Sequence, residues 1–219
     1  FNKANYQKIL NFISNSRKFS QNTAIPSIIA VTKMQPESVI LEAIHSGMSS
    51  FGENRVQEAF HKYKNIKTAF KQIKLHMIGP LQTNKVKNAL EIFDFIHSLD
   101  REKLAKELIK NITTPLFSDK LFFVQVNTAN EKQKAGINLN EADGFIKYCL
   151  HDLKLNVIGL MCIPPHNDNP EPHFILLKKL AFQNKLQHLS MGMSSDYEIA
   201  LKNGATFIRI GNQLFGNRK

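Results

Sequence analysis

Ser27-Ile28-Ile29-Ala30-Val31-Thr32-Lys33-Met34-Gln35-Pro36 is an apolar run that ends on a lysine and is stopped by a proline. Its β-branched residues favour a strand, and Pro36 cannot continue one. A buried strand is therefore expected over 27–32, with Lys33 at its mouth beside apolar walls. Desolvating an ammonium there is costly, so its pKa should fall toward a neutral, nucleophilic amine. Such an amine can form a Schiff base with an aldehyde. The plainer alternative is a lysine that caps the strand and reaches water along its aliphatic stem.

The same kind of run recurs along the chain. Strands are expected at 27–32, near 49–52, and at 75–79, 93–99, 121–127, 155–162, 187–191 and 205–210. Helices are expected at 2–19, 36–46, 53–72, 83–91, 100–111, 140–152, 173–185 and 195–203. Strict alternation of buried strands with helices means a parallel sheet with helices outside. Eight such units predict a closed (β/α)8 TIM barrel of the α/β class. An open doubly wound sheet is the alternative, but no Gly-x-Gly-x-x-Gly follows the first strand. The helix at 2–19 is then an extra N-terminal helix, able to fill the place of the eighth outer helix. No linker interrupts the pattern, so residues 1–219 are expected to form a single domain.

Composition narrows the function classes. The chain has 219 residues, 42% hydrophobic and 21% charged, as expected for a soluble globular protein. No stretch approaches the roughly 18 apolar residues of a membrane span, so no membrane partner is expected. Phe1-Asn2-Lys3-Ala4 lacks a signal-peptide layout, and Cys149 and Cys162 make neither a disulfide framework nor a metal pattern. A reducing, cytoplasmic location and no metal are expected. The net charge of +11 raises nucleic-acid binding. The lysines are spread out, however. The densest stretch, His61-Lys62-Tyr63-Lys64-Asn65-Ile66-Lys67 with Lys71 and Lys74, is expected to be a solvated helix face without a stacking platform. No nucleic-acid partner is expected.

In such a barrel the chemistry sits at the carboxyl ends of the strands. Lys33 ends the first strand, and Glu53 and Asn54 follow the second. His76 lies in the third, with Gly79 after it. Ser190-Met191-Gly192-Met193-Ser194 ends the seventh, and Arg209-Ile210-Gly211-Asn212 the eighth. Gly192 and Gly211 can bare backbone N–H groups to an anion, and Ser190 and Ser194 add hydroxyl donors. Asp196 marks the start of a helix whose positive end favours phosphate. Ordinary βα turns would also use glycine here. A phosphate cradle across the mouth from a nucleophilic lysine describes a pocket for pyridoxal phosphate. Arg209 would then meet the ring nitrogen.

The residues that carry a family resemblance are these. They are Ala30-Val31-Thr32-Lys33, Phe51-Gly52-Glu53-Asn54-Arg55-Val56-Gln57-Glu58 and His76-Met77-Ile78-Gly79-Pro80-Leu81-Gln82-Thr83-Asn84-Lys85. Leu189-Ser190-Met191-Gly192-Met193-Ser194-Ser195-Asp196 and Arg209-Ile210-Gly211-Asn212-Gln213-Leu214-Phe215-Gly216 complete the set. In this order the chain resembles the pyridoxal phosphate homeostasis proteins, whose fold is similar to the barrel domain of bacterial alanine racemase. The resemblance implies that Lys33 carries pyridoxal 5'-phosphate as a Schiff base. It implies that Asn54 and the 76–79 stretch, with His76 and Ile78, line the ring, and that Arg209 faces the pyridine nitrogen. It implies that Ser190, Gly211 and the Asn212 amide hold the phosphate, and it counts Met193 with the cofactor-binding set. The family usually has a small hydroxyl residue where Asn212 stands, so one hydroxyl contact is missing. The weaker match over 127–136 is expected to be a mobile loop without a role.

Arginine stays protonated, so at the ring nitrogen it donates and keeps the ring itself unprotonated. That makes the ring a poorer electron sink and disfavours transamination. Two-base racemisation needs a second acid/base, which alanine racemases take from a tyrosine of a second domain. Tyr6, Tyr63, Tyr148 and Tyr197 all fall in expected helices, and no second domain is seen before Lys219. The expectation is a monomeric carrier with no catalytic residue, which buffers pyridoxal phosphate and delivers it to apo-enzymes. The alternative is a pyridoxal phosphate-dependent amino-acid racemase.

Overall fold

Alternation resolves into strands β1 (Ser27–Val31), β2 (Ser50–Glu53), β3 (Lys74–Met77), β4 (Phe95–Leu99), β5 (Leu121–Asn127), β6 (Ile137–Asn138), β7 (Val157–Met161), β8 (His188–Met193) and β9 (Phe207–Ile210). The helices are α1 (Lys3–Ser16), α2 (Glu37–His45), α3 (Val56–Ala69), α4 (Val86–Ile92), α5 (Glu102–Ile112), α6 (Leu139–Lys147), α7 (Pro170–Gln183), α8 (Tyr197–Lys202) and α9 (Asn212–Phe215). The computed structural model describes residues 1–16, 25–112, 117–131 and 133–216. The end of the expected 2–19 helix and Lys132 of the 127–136 stretch lie outside the described residues.

Strand order is β4-β3-β2-β1-β9-β8-β7-β5, and β4 pairs with β5 to close the ring. Every pairing is parallel, which makes the expected eight-stranded TIM barrel. β6 is a short addition that pairs with β5 through Val126 and Ile137. Side chains alternate along each strand. On β5, Phe122, Val124 and Val126 join the apolar layer under the helices, while Phe123 turns into the barrel. The α1 helix buries Ile9 and Ile13, packs on α8 and α9, and is tied there by Asn2 N–H donating to Leu214 O at 2.7 Å.

Several boundaries differ from expectation for local reasons. α7 starts at Pro170 because Asn169 caps it, its side chain accepting from Glu171 N–H at 3.1 Å. Pro170 suits the first helical position, so part of the expected loop is the helix start. The expected 140–152 helix splits into α6 and a π-helical turn, Tyr148–Asp152. β6 and α9 are too short to carry a periodic signal.

The expected solvated face of α3 is corrected. Tyr63 is fully buried and Lys62 is 8% exposed, whereas Lys64, Lys71 and Lys74 do face solvent. Lys62 Nζ lies 2.6 Å from Glu53 Oε1 and donates to Thr32 O at 2.7 Å and Glu58 Oε1 at 2.9 Å. Thr32 Oγ1 donates to Glu53 Oε1 at 2.8 Å, so the Tyr63 hydroxyl, 2.6 Å away, donates to Thr32. Met34 N–H donates to Glu58 Oε1 at 2.6 Å. Both neighbours of Lys33 are thus fastened to α3. Burial pushes the Glu53 carboxyl above the usual carboxylate range, against the pull of Lys62 and Thr32. Such a pair adds little net stability, but breaking it strands a buried charge. Lys62→Ala should cost about 3–5 kcal/mol of folding free energy in urea titration, while Lys64→Ala on the exposed face should cost under about 0.5 kcal/mol.

Candidate functional site

The residues expected at the cofactor come from β8, β9, β1, β2 and β3 or the positions just after them, and these strands are consecutive around the barrel. Lys33 stands two residues past β1, half-buried in a turn. Asn54 follows β2, Ile78 follows β3 and Met193 ends β8, all half-buried. Gly211 follows β9, and Asn212 opens α9 exposed to solvent. His76, Ser190 and Arg209 sit lower, buried inside the barrel. One expectation changes. β9 is the direct neighbour of β1, with Ile29 opposite Arg209, so the Arg209–Gly211 segment stands beside the Lys33 strand instead of across the mouth.

The interior beneath the rim is built of aromatic and imidazole rings. His76 stacks on Phe95 with centroids 4.3 Å apart, and His97 stacks on Phe123 at 4.2 Å. Phe207 touches all four rings and His188. Polar atoms thread this layer. His76 Nδ1 and His97 Nε2 are 2.9 Å apart, as are His97 Nδ1 and Ser190 Oγ. Arg209 donates to Ser190 Oγ at 2.7 Å and to Cys162 O at 2.9 Å. No carboxylate pairs with Arg209 among the described residues. Burial lowers the Arg209 pKa, yet arginine remains charged at any ordinary pH. Burial also pushes His76 from the usual 6.5 down to about 3, and pushes His97 well below its usual value, so both rings are neutral.

The two glycines singled out near the phosphate behave differently. Gly192 has φ +90°, and a Cβ there would lie 2.6 Å from Ala200 Cβ of α8. Its glycine serves the backbone and the helix packing behind the strand. Gly211 has φ −114°, open to any residue, and a Cβ there would meet nothing closer than Val31 Cβ at 3.5 Å. Protein packing alone does not demand glycine at 211, whereas a ligand lying against that backbone would. Asp196 is occupied locally, its Oδ1 accepting from Met193 N–H, and as an anion it disfavours a phosphate at that turn. Ser194 Oγ accepts from Gly211 N–H at 3.4 Å and so stands at the Gly211 rim. Ser190, by contrast, is spent on His97 and Arg209 below the rim.

Some site residues escaped the sequence reading. Lys62, Glu58 and Tyr63 brace the Lys33 turn from an outer helix. His97 lies in Phe95-Ile96-His97-Ser98-Leu99, where period-two alternation puts Phe95 and His97 on one face, before the register shifts between Ile96 and Leu99. That alternation was the available signal. Described residues of the 127–136 stretch make local hydrogen bonds. Asn127 Nδ2 donates to Glu131 O at 2.8 Å, and Gln125 Nε2 donates to Ala135 O at 3.1 Å.

Residues 9–219 match the family described as alanine racemase, N-terminal domain. The chain is 40% identical over 202 residues to the pyridoxal phosphate homeostasis protein of Aquifex aeolicus, covering 88% of this chain and 87% of that one. It is 35% identical over 202 residues to the protein of that name in Escherichia coli K12, covering 88% and 86%.

The chain belongs to the pyridoxal phosphate homeostasis protein family.

Among solved structures, PipY of Synechococcus elongatus with pyridoxal phosphate bound superposes with a TM-score of 0.78 at 33% identity, covering 94% of this chain and 99% of that one. Alanine racemase of Corynebacterium glutamicum shares the fold, with a TM-score of 0.68 at 16% identity, covering 94% of this chain and 60% of the racemase. In this homeostasis-family chain the Phe51-Gly52-Glu53-Asn54 motif has two roles. Glu53 engages Lys62 on the outer side, and Asn54 stands at the rim.

The neutral histidines carry a pH signature. Unfolded, each takes up a proton near 6.5; folded, His76 does so only near about 3. Their stabilising contribution is complete above the unfolded value and is lost as pH falls below it. From pH 6.5 down to about 5, folding free energy should fall by up to about 1.4 kcal/mol per pH unit for each histidine. Urea midpoints across that range check this, and His97→Phe should make the decline shallower.

Proposed function

We propose that this chain holds pyridoxal 5'-phosphate covalently, as a Schiff base on Lys33, and serves in the cytoplasm as a store that releases the cofactor to apo-enzymes, with little or no catalysis of its own. The observation that carries the proposal is Arg209. It is a buried cation served by neutral acceptors, on the strand beside that of Lys33. The pyridoxal phosphate bound in PipY and the names of the relatives support the same reading.

The donor set fits the group. Pyridoxal phosphate supplies an aldehyde, a pyridine nitrogen and a phosphate. Lys33 offers the amine for the aldehyde. Arg209 offers N–H donors to the ring nitrogen. Gly211 leaves room at the rim, and the first amides of α9, which start at Asn212, have no intrahelical acceptor. The Ser194 hydroxyl stands beside them, so we place the phosphate here and assign Ser190 to Arg209 instead. Asn54, Ile78 and Met193 flank the ring. An arginine at the ring nitrogen disfavours transamination and leaves racemisation possible. All four tyrosines lie on outer helical segments: Tyr6 on α1, Tyr63 on α3, Tyr148 in the π-helical turn and Tyr197 on α8. None is placed as the second acid/base of a racemase. The racemase reading keeps only the shared fold in its favour.

Purified protein mixed with pyridoxal phosphate should show a Schiff-base absorbance band displaced from that of the free aldehyde, and Lys33→Ala should abolish it. Gly211→Ala should keep the wild-type melting temperature and load about tenfold more weakly or worse. Loaded protein should restore an apo-enzyme faster than free cofactor at equal concentration, and should leave the α-proton of alanine unexchanged in deuterated solvent. Recovery no faster than with free cofactor would end the delivery reading, and rapid exchange would revive the racemase.

A further inference from the structure

Arg209, Ser190, His97 and His76 form one continuous hydrogen-bonded chain through the barrel interior. Donor and acceptor chemistry fixes its proton order. Arginine has donors and no acceptor, so Ser190 Oγ accepts from it. Ser190 is fully buried, and among the described residues the remaining partner of its hydroxyl is His97 Nδ1. The hydroxyl proton therefore points to His97 Nδ1. A neutral imidazole that accepts at Nδ1 carries its proton on Nε2. His97 Nε2–H then donates to His76 Nδ1, which leaves the His76 proton on Nε2. Among the described residues, that atom is buried with no hydrogen-bond partner. The opposite order would orphan the Ser190 proton as well as a lone pair of His76, so it is the costlier arrangement.

We propose that Ser190, His97 and His76 are positioning residues, a one-way dipole chain that holds the Arg209 guanidinium in the barrel with its remaining donors turned to the ligand. Each dipole presents its negative end toward Arg209. The chain thereby solvates a buried cation without a carboxylate that would compete for its donors. Cys162 O fixes a second N–H and so sets the plane of the guanidinium. The stacks of His76 on Phe95 and of His97 on Phe123 lock both rings in place. The role in ligand binding rests on the pyridoxal phosphate reading above; the proton order does not.

The test has two arms. Nitrogen-15 NMR of imidazole-labelled, cofactor-free protein at neutral pH should show both His76 and His97 protonated on Nε2 and bare on Nδ1. Protonation on Nδ1 of His97, or a doubly protonated ring, overturns the chain. In the second arm, cofactor-loaded Ser190→Ala and His97→Phe are compared with wild type, with Ser190→Thr as the conservative rescue. His97→Phe keeps the stack on Phe123 and breaks the relay, and Ser190→Ala is the smaller change should the first not fold. Both should shift the absorbance band and weaken cofactor binding about tenfold, and Ser190→Thr should restore both. Folded variants with the wild-type band and affinity overturn the positioning role. If wild-type protein shows no band at all, the cofactor reading fails, and the NMR arm still decides the chain.

Discussion

Ile29 lies opposite Arg209 because the last strand of the barrel pairs with the first. Residues from the two ends of the chain become neighbours through that register. β1 delivers Lys33 to the rim, and β9 delivers Arg209 below it and Gly211 beside it. A slip of one residue would turn Arg209 out under the helices and bring an isoleucine into the interior. The register is protected by the alternation itself, since Ile208 and Ile210 are buried in the outer apolar layer. Closure of the ring by β4 and β5 then holds the whole arc from β8 to β3 in one curvature.

Lys62 and Arg209, two of the buried cations in this fold, are handled in opposite ways. Lys62 is neutralised by Glu53 and Glu58, and its work is mechanical: it fastens the turn that carries Lys33. Arg209 receives a serine oxygen and a backbone carbonyl. A carboxylate would satisfy arginine more strongly, but it would also take up the fork that the ligand nitrogen would need on the reading proposed above. Neutral acceptors keep the charge in place and leave donors available. The neutral state of His76 and His97 belongs to the same design, because a charged imidazole beside Arg209 would repel it.

The rim shows a comparable division. The Gly192 segment is committed to packing on α8, and Asp196 occupies its own turn. At Gly211 no packing neighbour demands a glycine. The phosphate site proposed above therefore lies at one strand end, next to the lysine; Ser190 Oγ is engaged below it and Asp196 is charged.

Much of this was legible in the residues. The strand ending in Lys33, the eightfold alternation and the clustering of glycine and polar residues at strand ends give the barrel, and its rim follows from them. Lys33, Asn54, Gly211 and Asn212 could be placed there because a position just after a strand has one address in a parallel barrel. Alternation on β4 hinted at His97, but nothing local says that its ring meets His76 and Ser190. Lys62 looked like solvent-facing charge because a lysine stem is compatible with either side of a helix, and its partner Glu53 comes from another element. By itself the sequence determined the periodicity, hence the elements, the fold class and the rim residues, since those depend on backbone geometry and the spacing of apolar groups. Only the tertiary structure decided which rim residues are neighbours, that the Gly211 end of β9 adjoins the Lys33 strand, and that Ser190 serves Arg209, since those depend on strand order, register and barrel closure, which bring together atoms far apart in the chain.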